Sequence, residues 1–283
     1  MDPIIGRKTW RTLEPYHGAI YFAPEAREEY AKLGLSERMV GYFASRSAAM
    51  GPVPTPVVQA TFFNFDPGLV ERSMDGVWDR VAPSAVLEAR LVAADRMIRH
   101  FAPDAIGTGE MAEAADIARD AASVAAEHPE GRPLFAGHAS LAWPDEPHLV
   151  LWHAQTLLRE YRGDNHIAAL TVEGLTGCEA LVTHSFGEEP SLVGGSVSAD
   201  VLKNTRQRTD ADWADAVASL QARGWVDENA TATAHGRERR RWIEERTDEL
   251  SVGPYAAIGE ERCDRLRTLG RPWSAAMMGA FAG

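Results

Sequence analysis

The sequence has only two cysteines, Cys178 and Cys263, among 283 residues. Two thiols exclude a disulfide framework and a four-cysteine metal site, and they fit a reducing, cytoplasmic setting. No apolar run approaches the ~18 residues that a membrane span requires, so no membrane partner is expected. The opening residues, Met1-Asp2-Pro3-Ile4-Ile5-Gly6-Arg7-Lys8, lack the apolar stretch of a secretory signal. There is no Gly-rich phosphate loop, no Gly-x-Ser-x-Gly elbow and no Cys/His nucleophile signature. Positive charge is scarce in the middle third. Residues 101–200 carry 4 Lys+Arg against 16 Asp+Glu, whereas the flanking stretches balance at 12 and 12 and at 13 and 13. The whole net charge of −12 therefore arises in that third. A duplex-binding surface needs several cations to neutralise phosphates, and this segment has almost none.

What is present is ordinary for a folded, water-facing protein: 45% hydrophobic and 25% charged residues. Pro24–Gly34 predicts a helix with proline early and glycine at its stop, and Met39–Ala49 a second that Gly51-Pro52-Val53-Pro54 breaks. Ser84–Phe101 and Glu110–Glu127 are Ala-rich helical patterns. Glu127–Pro133 is the best linker. The expected division is an N-terminal helical lobe (1–126), a helical hairpin with a helix-turn-helix-like unit (134–200), and a winged-helix-like unit with a C-terminal helix (201–283). Tyr42–Arg46 also resembles Leu134–His138, 92 residues on. Read as a repeat, this sets the helix carrying Thr61, Phe62 and Asn64 against the helix carrying His153. Read as chance, it is two similar helical hairpins.

The segment Trp152–His166 holds most of the chemistry. Val150, Ala154, Leu157, Leu158 and Tyr161 recur at helical spacing and define a buried stripe, and Gly163 predicts a break. Trp152, Gln155, Arg159, Arg162 and His166 share another face. Two guanidiniums a turn apart suit a carboxylate or phosphate. They also suit salt bridges to acids of this acidic third. His153 borders the apolar stripe, with Glu160 and Asp164 about two and three turns on, where a carboxylate could fix an imidazole's tautomer. The candidate catalytic groups are His153, Glu160, Asp164 and His166. The candidate ligand contacts are Arg159, Arg162, Trp152, Gln155, His138, Trp143, Phe62 and Asn64. His138, His148, His153 and His166 show no metal-ligand spacing, and no metal is assigned. The identity of any cofactor is left open.

Further along, Asp164 or Asn165 caps a predicted helix from His166 to Glu173. Gly174-Leu175-Thr176 forms a turn, and a second helix runs from Gly177 to Ser185. Thr209-Asp210 caps a helix with Trp213, Ala216, Val217 and Leu220 on one face. Trp225–Thr233 predicts two short strands around a turn, and Gly236–Leu250 a charged helix. Trp213, Leu220, Trp225 and Trp242 are expected to pack together.

At these residues the chain resembles MarR-like winged-helix proteins. More closely, it looks like a family of actinobacterial proteins labelled helix-turn-helix and otherwise mostly uncharacterised. The matching segments are YFASRSAAMGPVP with TFFNFDP, RPLFAGHASLAWPDEPHLVLWHAQTLLREYRGDNH, and ARGWVD with IEERTDEL. The resemblance implies a mainly α fold of tandem winged-helix-like modules with short β-wings. It does not imply a function, since fold does not carry one. The sequence departs from a MarR regulator in the helix Gly177–Ser185, which has no Lys or Arg and places Glu179 where base or phosphate contacts belong. Asp227-Glu228-Asn229 at the wing tip and Gly187-Glu188-Glu189-Pro190 are acidic too. Arg237-Glu238-Arg239-Arg240-Arg241 is basic, but Glu244 and Glu245 compensate it at i,i+4. The expected function is a cytoplasmic small-molecule-binding protein, in one version an enzyme, that takes an anionic ligand at the Arg/His/acid cluster. The alternative is a ligand-responsive winged-helix regulator that binds DNA as a dimer. DNA is the less favoured partner, and a homodimer fits both readings.

Overall fold

The computed structural model describes residues 1–186 and 198–282. Its contacts divide the chain into two compact units, each drawn from separate stretches. Residues 1–54, 73–164 and 248–283 belong to the first, and residues 55–72 and 165–247 to the second.

In the first unit, the Ala-rich patterns form the helices Pro83–Phe101 and Gly109–Ala126. Proline starts the former. The hydroxyl of Thr108 caps the latter by accepting the N–H of Met111 at 3.2 Å. Gly109–Ala126 buries Met111, Ala114, Ala118, Ala121, Ala122 and Ala125 along one face. It packs on Gly253–Met277, which packs in turn on Pro3–Gly18. Gly253–Met277 is two helical runs meeting at Gly259, whose φ of 82° is a conformation that glycine adopts without steric cost. Pro24–Lys32 lies against Pro83–Phe101. Leu13, Phe43, Met97, Ile98 and Phe135 are fully buried here, each stabilising the fold by roughly 1.5–3 kcal/mol.

The chemistry-bearing block is one helix, Pro147–Val172. The break expected at Gly163 does not occur. Leu157, Leu158, Tyr161, Ala169 and Leu170 keep its apolar side buried through the glycine, and one internal glycine costs only about 1 kcal/mol. Residues up to Asp164 belong to the first unit and those from Asn165 to the second. Asp164 does not cap a new helix. Its carboxylate accepts the Phe135 N–H at 2.9 Å, at the start of the helix Pro133–Ala139. The two segments that read as a repeat meet within this unit. A Cβ on Gly137 would come within 2.8 Å of the Ala49 carbonyl oxygen, and His138 Nε2 bonds the Arg46 carbonyl at 3.2 Å.

In the second unit, the end of the long helix, a left-handed Gly174 (φ 64°) and the helix Gly177–His184 make the helix-turn-helix step. Thr176 and Glu179 form a capping box at its start. Gly177–His184 packs on Asp210–Ala222, which Thr209 and Asp212 cap in the same way. Leu220 and Trp225 are buried in this core, with Trp213 and Trp242 packed against it.

The mainly α expectation holds, but the β-wings do not form. There is no strand among the described residues. Val226 and Ala232 make one isolated antiparallel bridge. The helices ending at Ala222 and starting at Ala234 leave little chain between them. The Asp227 carboxylate also takes the Asn229 and Thr231 N–H groups, both at 2.9 Å, so the segment closes as a turn instead of extending a ladder. The acidic run at 187–190 lies outside the described residues.

Candidate functional site

The polar interior of the first unit is assembled from helices far apart in sequence. Glu160 lies at its centre, 2% exposed. Arg46, from the helix Arg38–Ser47, reaches both Glu160 oxygens through Nη2 at 2.7 Å. Arg159 donates to Glu160 Oε1 at 3.0 Å and, through Nε, to Glu14 at 2.7 Å. Burial works to raise the Glu160 carboxyl, but Arg46 and then Arg159 outweigh it and hold the pKa down at about 2. Both arginines lie over the Tyr21 ring, at 5.6 and 5.3 Å, and Arg46 also over Tyr42.

Beside this network sits Arg90, 2% exposed, from the apolar face of Pro83–Phe101. Its guanidinium carbon is 4.9 Å from the Trp152 ring centroid, and Nη2 is 3.4 Å from His17 Nε2. No carboxylate pairs with it among the described residues, and its Nη1 has no hydrogen-bond partner. His17 stacks on Trp152 at 5.4 Å. Trp152 Nε1, His17 Nδ1, Gln155 Nε2, His153 Nε2 and the Tyr21 hydroxyl are likewise buried without a hydrogen-bond partner among the described residues. Such a concentration of orphaned polar groups is unusual in a folded interior. Burial, followed by Arg90, pulls His138 down to about 3 and His153 to about 4, and His153 also feels Arg119. Burial, then Arg159 and Arg90, lowers His17 well below the usual imidazole range. The three imidazoles are therefore neutral at pH 7.

Trp152, Gln155, His138, His153, Trp143, Arg159 and Glu160 fall within the first unit. Trp143 meets His153 edge to face at 4.8 Å, and the Arg119 guanidinium lies over the Trp143 ring, 4.8 Å from its centroid. The carboxylates proposed to orient an imidazole serve elsewhere: Glu160 holds two arginines, and Asp164 holds the backbone at Phe135. Burial raises Asp164 to about 6. Arg162 does not share an anion with Arg159. It bonds Asp248 at 2.6 Å, a carboxylate also held by Arg7 at 2.6 Å, and lies over Trp10.

His166, Phe62 and Asn64 belong to the second unit. His166 Nδ1 is 3.0 Å from Thr247 Oγ1, and its ring is 6.0 Å from that of His184. Phe62 meets Phe65 edge to face, and the Asn64 carbonyl accepts from Arg208 Nε at 3.2 Å. Glu179 faces no open groove. It is buried, accepts the Thr176 N–H at 2.7 Å and takes the Ser219 hydroxyl at 2.6 Å.

Sequence reasoning missed Arg46, Arg90, Glu14, His17, Tyr21 and Tyr42. For Arg90 a signal existed: it interrupts the stripe Val86, Ala93, Ala94, Met97 with a charge. Among the described residues, no three His, Cys, Asp or Glu side chains are grouped to hold a metal, and no helix is long and apolar enough to cross a membrane.

A mainly α chain with a helix-turn-helix step in its second unit defines the class. The chain matches the model of a helix-turn-helix family over residues 6–282, and it belongs to that family. No curated protein and no solved structure matches it.

Proposed function

We propose that this helix-turn-helix family member binds a small anionic molecule in its first unit, at the cluster of Arg46, Arg90 and Arg159. The carrying observation is Arg90, a buried guanidinium that meets no carboxylate among the described residues. The neighbouring carboxylates, Glu14 and Glu160, are engaged by Arg159 and Arg46. Of these three guanidiniums Arg90 is thus the one without a bonded carboxylate among the described residues, while His17, His138 and His153 add no charge. An unpaired buried charge costs several kcal/mol, and a bound anion offsets that cost. Trp152 supplies an apolar wall with an indole N–H to spare. In the enzymatic version His153 carries the proton. Its depressed pKa makes it a weak base until an anion offsets Arg90 and lifts it.

The test is a thermal-shift titration of desalted protein with acetate, benzoate and phosphate, repeated on Arg90→Met. The reading expects a saturable rise in melting temperature with at least one anion, abolished by the substitution. A wild-type midpoint indifferent to every anion would exclude it.

Family membership favours a second reading, a ligand-responsive regulator that binds DNA as a dimer. The chemistry of the second unit opposes it. Gly177–His184 buries six consecutive residues, from Cys178 to Thr183. The exposed side of Asp210–Ala222 presents Asp210, Asp215, Ala214 and Ala218, with no cation.

A further inference from the structure

We infer that the ligand of the arginine cluster is a small, singly charged anion, of halide to one-carbon oxyanion size, anchored by Arg90 and the indole N–H of Trp152. This rests on the anion-binding reading above and names its ligand class and anchor. Three observations narrow the class. Of the arginines at the cluster, Arg46 and Arg159 bond Glu160 and Glu14, and the one guanidinium without a bonded carboxylate among the described residues is Arg90, a single positive charge. A dianion would replace one unpaired charge by another of opposite sign.

The second observation is the chemistry of the orphaned atoms. Arg90 Nη1 and Trp152 Nε1 can only donate, so each needs a lone pair, and no atom of the described residues supplies one. They belong to side chains in contact, with the guanidinium carbon 4.9 Å from the ring centroid. Water could accept both N–H groups but would leave the guanidinium charge unopposed.

The third is closure. Arg90 and Trp152 are 2% and 3% exposed, and His17 closes on the same pair by stacking on the indole. Interiors packed in this way leave room for few atoms, which favours a monatomic or one-carbon anion over a ring-bearing acid. Arg159 and Arg162, whose carboxylate partners are already in place, are not the anchors.

The experiment uses the full chain, desalted into a gluconate buffer and titrated with sodium bromide, sodium formate, sodium benzoate and sodium sulfate. Melting temperature and tryptophan fluorescence are the readouts. Bromide or formate should raise the midpoint saturably, and bromide should quench a fraction of the fluorescence with the same half-saturation. Benzoate and sulfate should do neither. Arg90→Met should abolish both responses, with an anion-free midpoint equal to or above that of the wild type. Trp152→Phe keeps a ring but removes the N–H, and should raise the half-saturating concentration about tenfold or more. This second variant keeps the test decisive if Arg90→Met does not fold. A saturable response to benzoate alone, lost in Arg90→Met, would overturn the small-anion assignment and leave the anion-binding reading intact. Silence toward all four salts would overturn both.

Discussion

Replacing Glu160 by Gln removes the carboxylate that Arg46 and Arg159 share and leaves two buried guanidiniums facing each other. The expected loss is about 3–5 kcal/mol, the cost of breaking a buried pair from one side. Denaturant unfolding of Glu160→Gln measures it, and a loss below about 1 kcal/mol would contradict the network. Arg162→Ala should cost less, because Asp248 keeps Arg7 as a partner. The same interior sets a pH dependence. His138 and His153 have folded pKa values near 3 and 4, below the unfolded value of about 6.5. Their contribution is complete above pH 6.5 and is lost as pH falls, since the unfolded chain takes up protons first. Glu160, depressed to about 2, adds a loss below about pH 4.3. Asp164, raised to about 6, acts in the opposite sense: its contribution is present at low pH and is lost as pH rises through 6. His17 is held down as well, so three imidazoles outweigh one carboxyl and stability should fall from pH 6.5 to 4. Urea midpoints across that range check this, and a flat or rising profile toward acid would refute it.

At the scale of elements, two glycines carry opposite expectations. A Cβ on Gly236 would land inside the Trp225 carbonyl, where the backbone cannot yield. Gly236→Ala should therefore cost about 1–3 kcal/mol or more. A Cβ on Gly163 would meet only Glu160 Oε2, at an ordinary 3.5 Å. Gly163→Ala should stabilise by about 0.5–1 kcal/mol, as expected for a glycine inside a helix. Melting temperatures of the pair decide both. Local chemistry of this kind is what the sequence makes legible. The cap Thr209, the turn at Gly174 and the helix that starts at Gly177 all act at the positions the sequence implies, whereas Thr233, whose hydroxyl accepts the Gly236 N–H at 3.0 Å, is not among the expected caps. Gly163 misled because burial of the flanking leucines outweighs one glycine. Trp225–Thr233 misled because alternation does not reveal how little chain the helices leave between them. The site was half legible for a related reason. Helical spacing groups Trp152, Gln155 and Arg159, but cannot say that Glu14, His17, Arg46 and Arg90 come to meet them from other helices.

For the whole molecule, the expectation is that no sequence-specific duplex binding occurs. Specific complexes are held by cations that release counterions from phosphate, which gives tight binding and a steep salt dependence. Here the net charge is −12, and the cations nearest the helix-turn-helix are committed within the second unit. Arg237 donates to the Ala232 carbonyl, Arg239 pairs with Glu173, and Arg240 bonds Glu244 at 2.5 Å and His184 at 3.1 Å. Arg208 bonds the Phe65 carbonyl at 2.8 Å, and Arg223 the Glu173 carbonyl at 2.6 Å. Freeing them for phosphate would break contacts that hold the unit together. Titration against the protein's own upstream DNA and genomic fragments, at low and moderate salt, should give dissociation constants no tighter than about 10⁻⁶ M and no preference among sequences. Adding bromide or formate at concentrations that saturate the first unit should leave that result unchanged. A nanomolar complex with one fragment, weakening steeply as salt rises, would restore the regulator reading. If the same small anions released that complex, the arginine cluster would be the effector site of a DNA-binding protein.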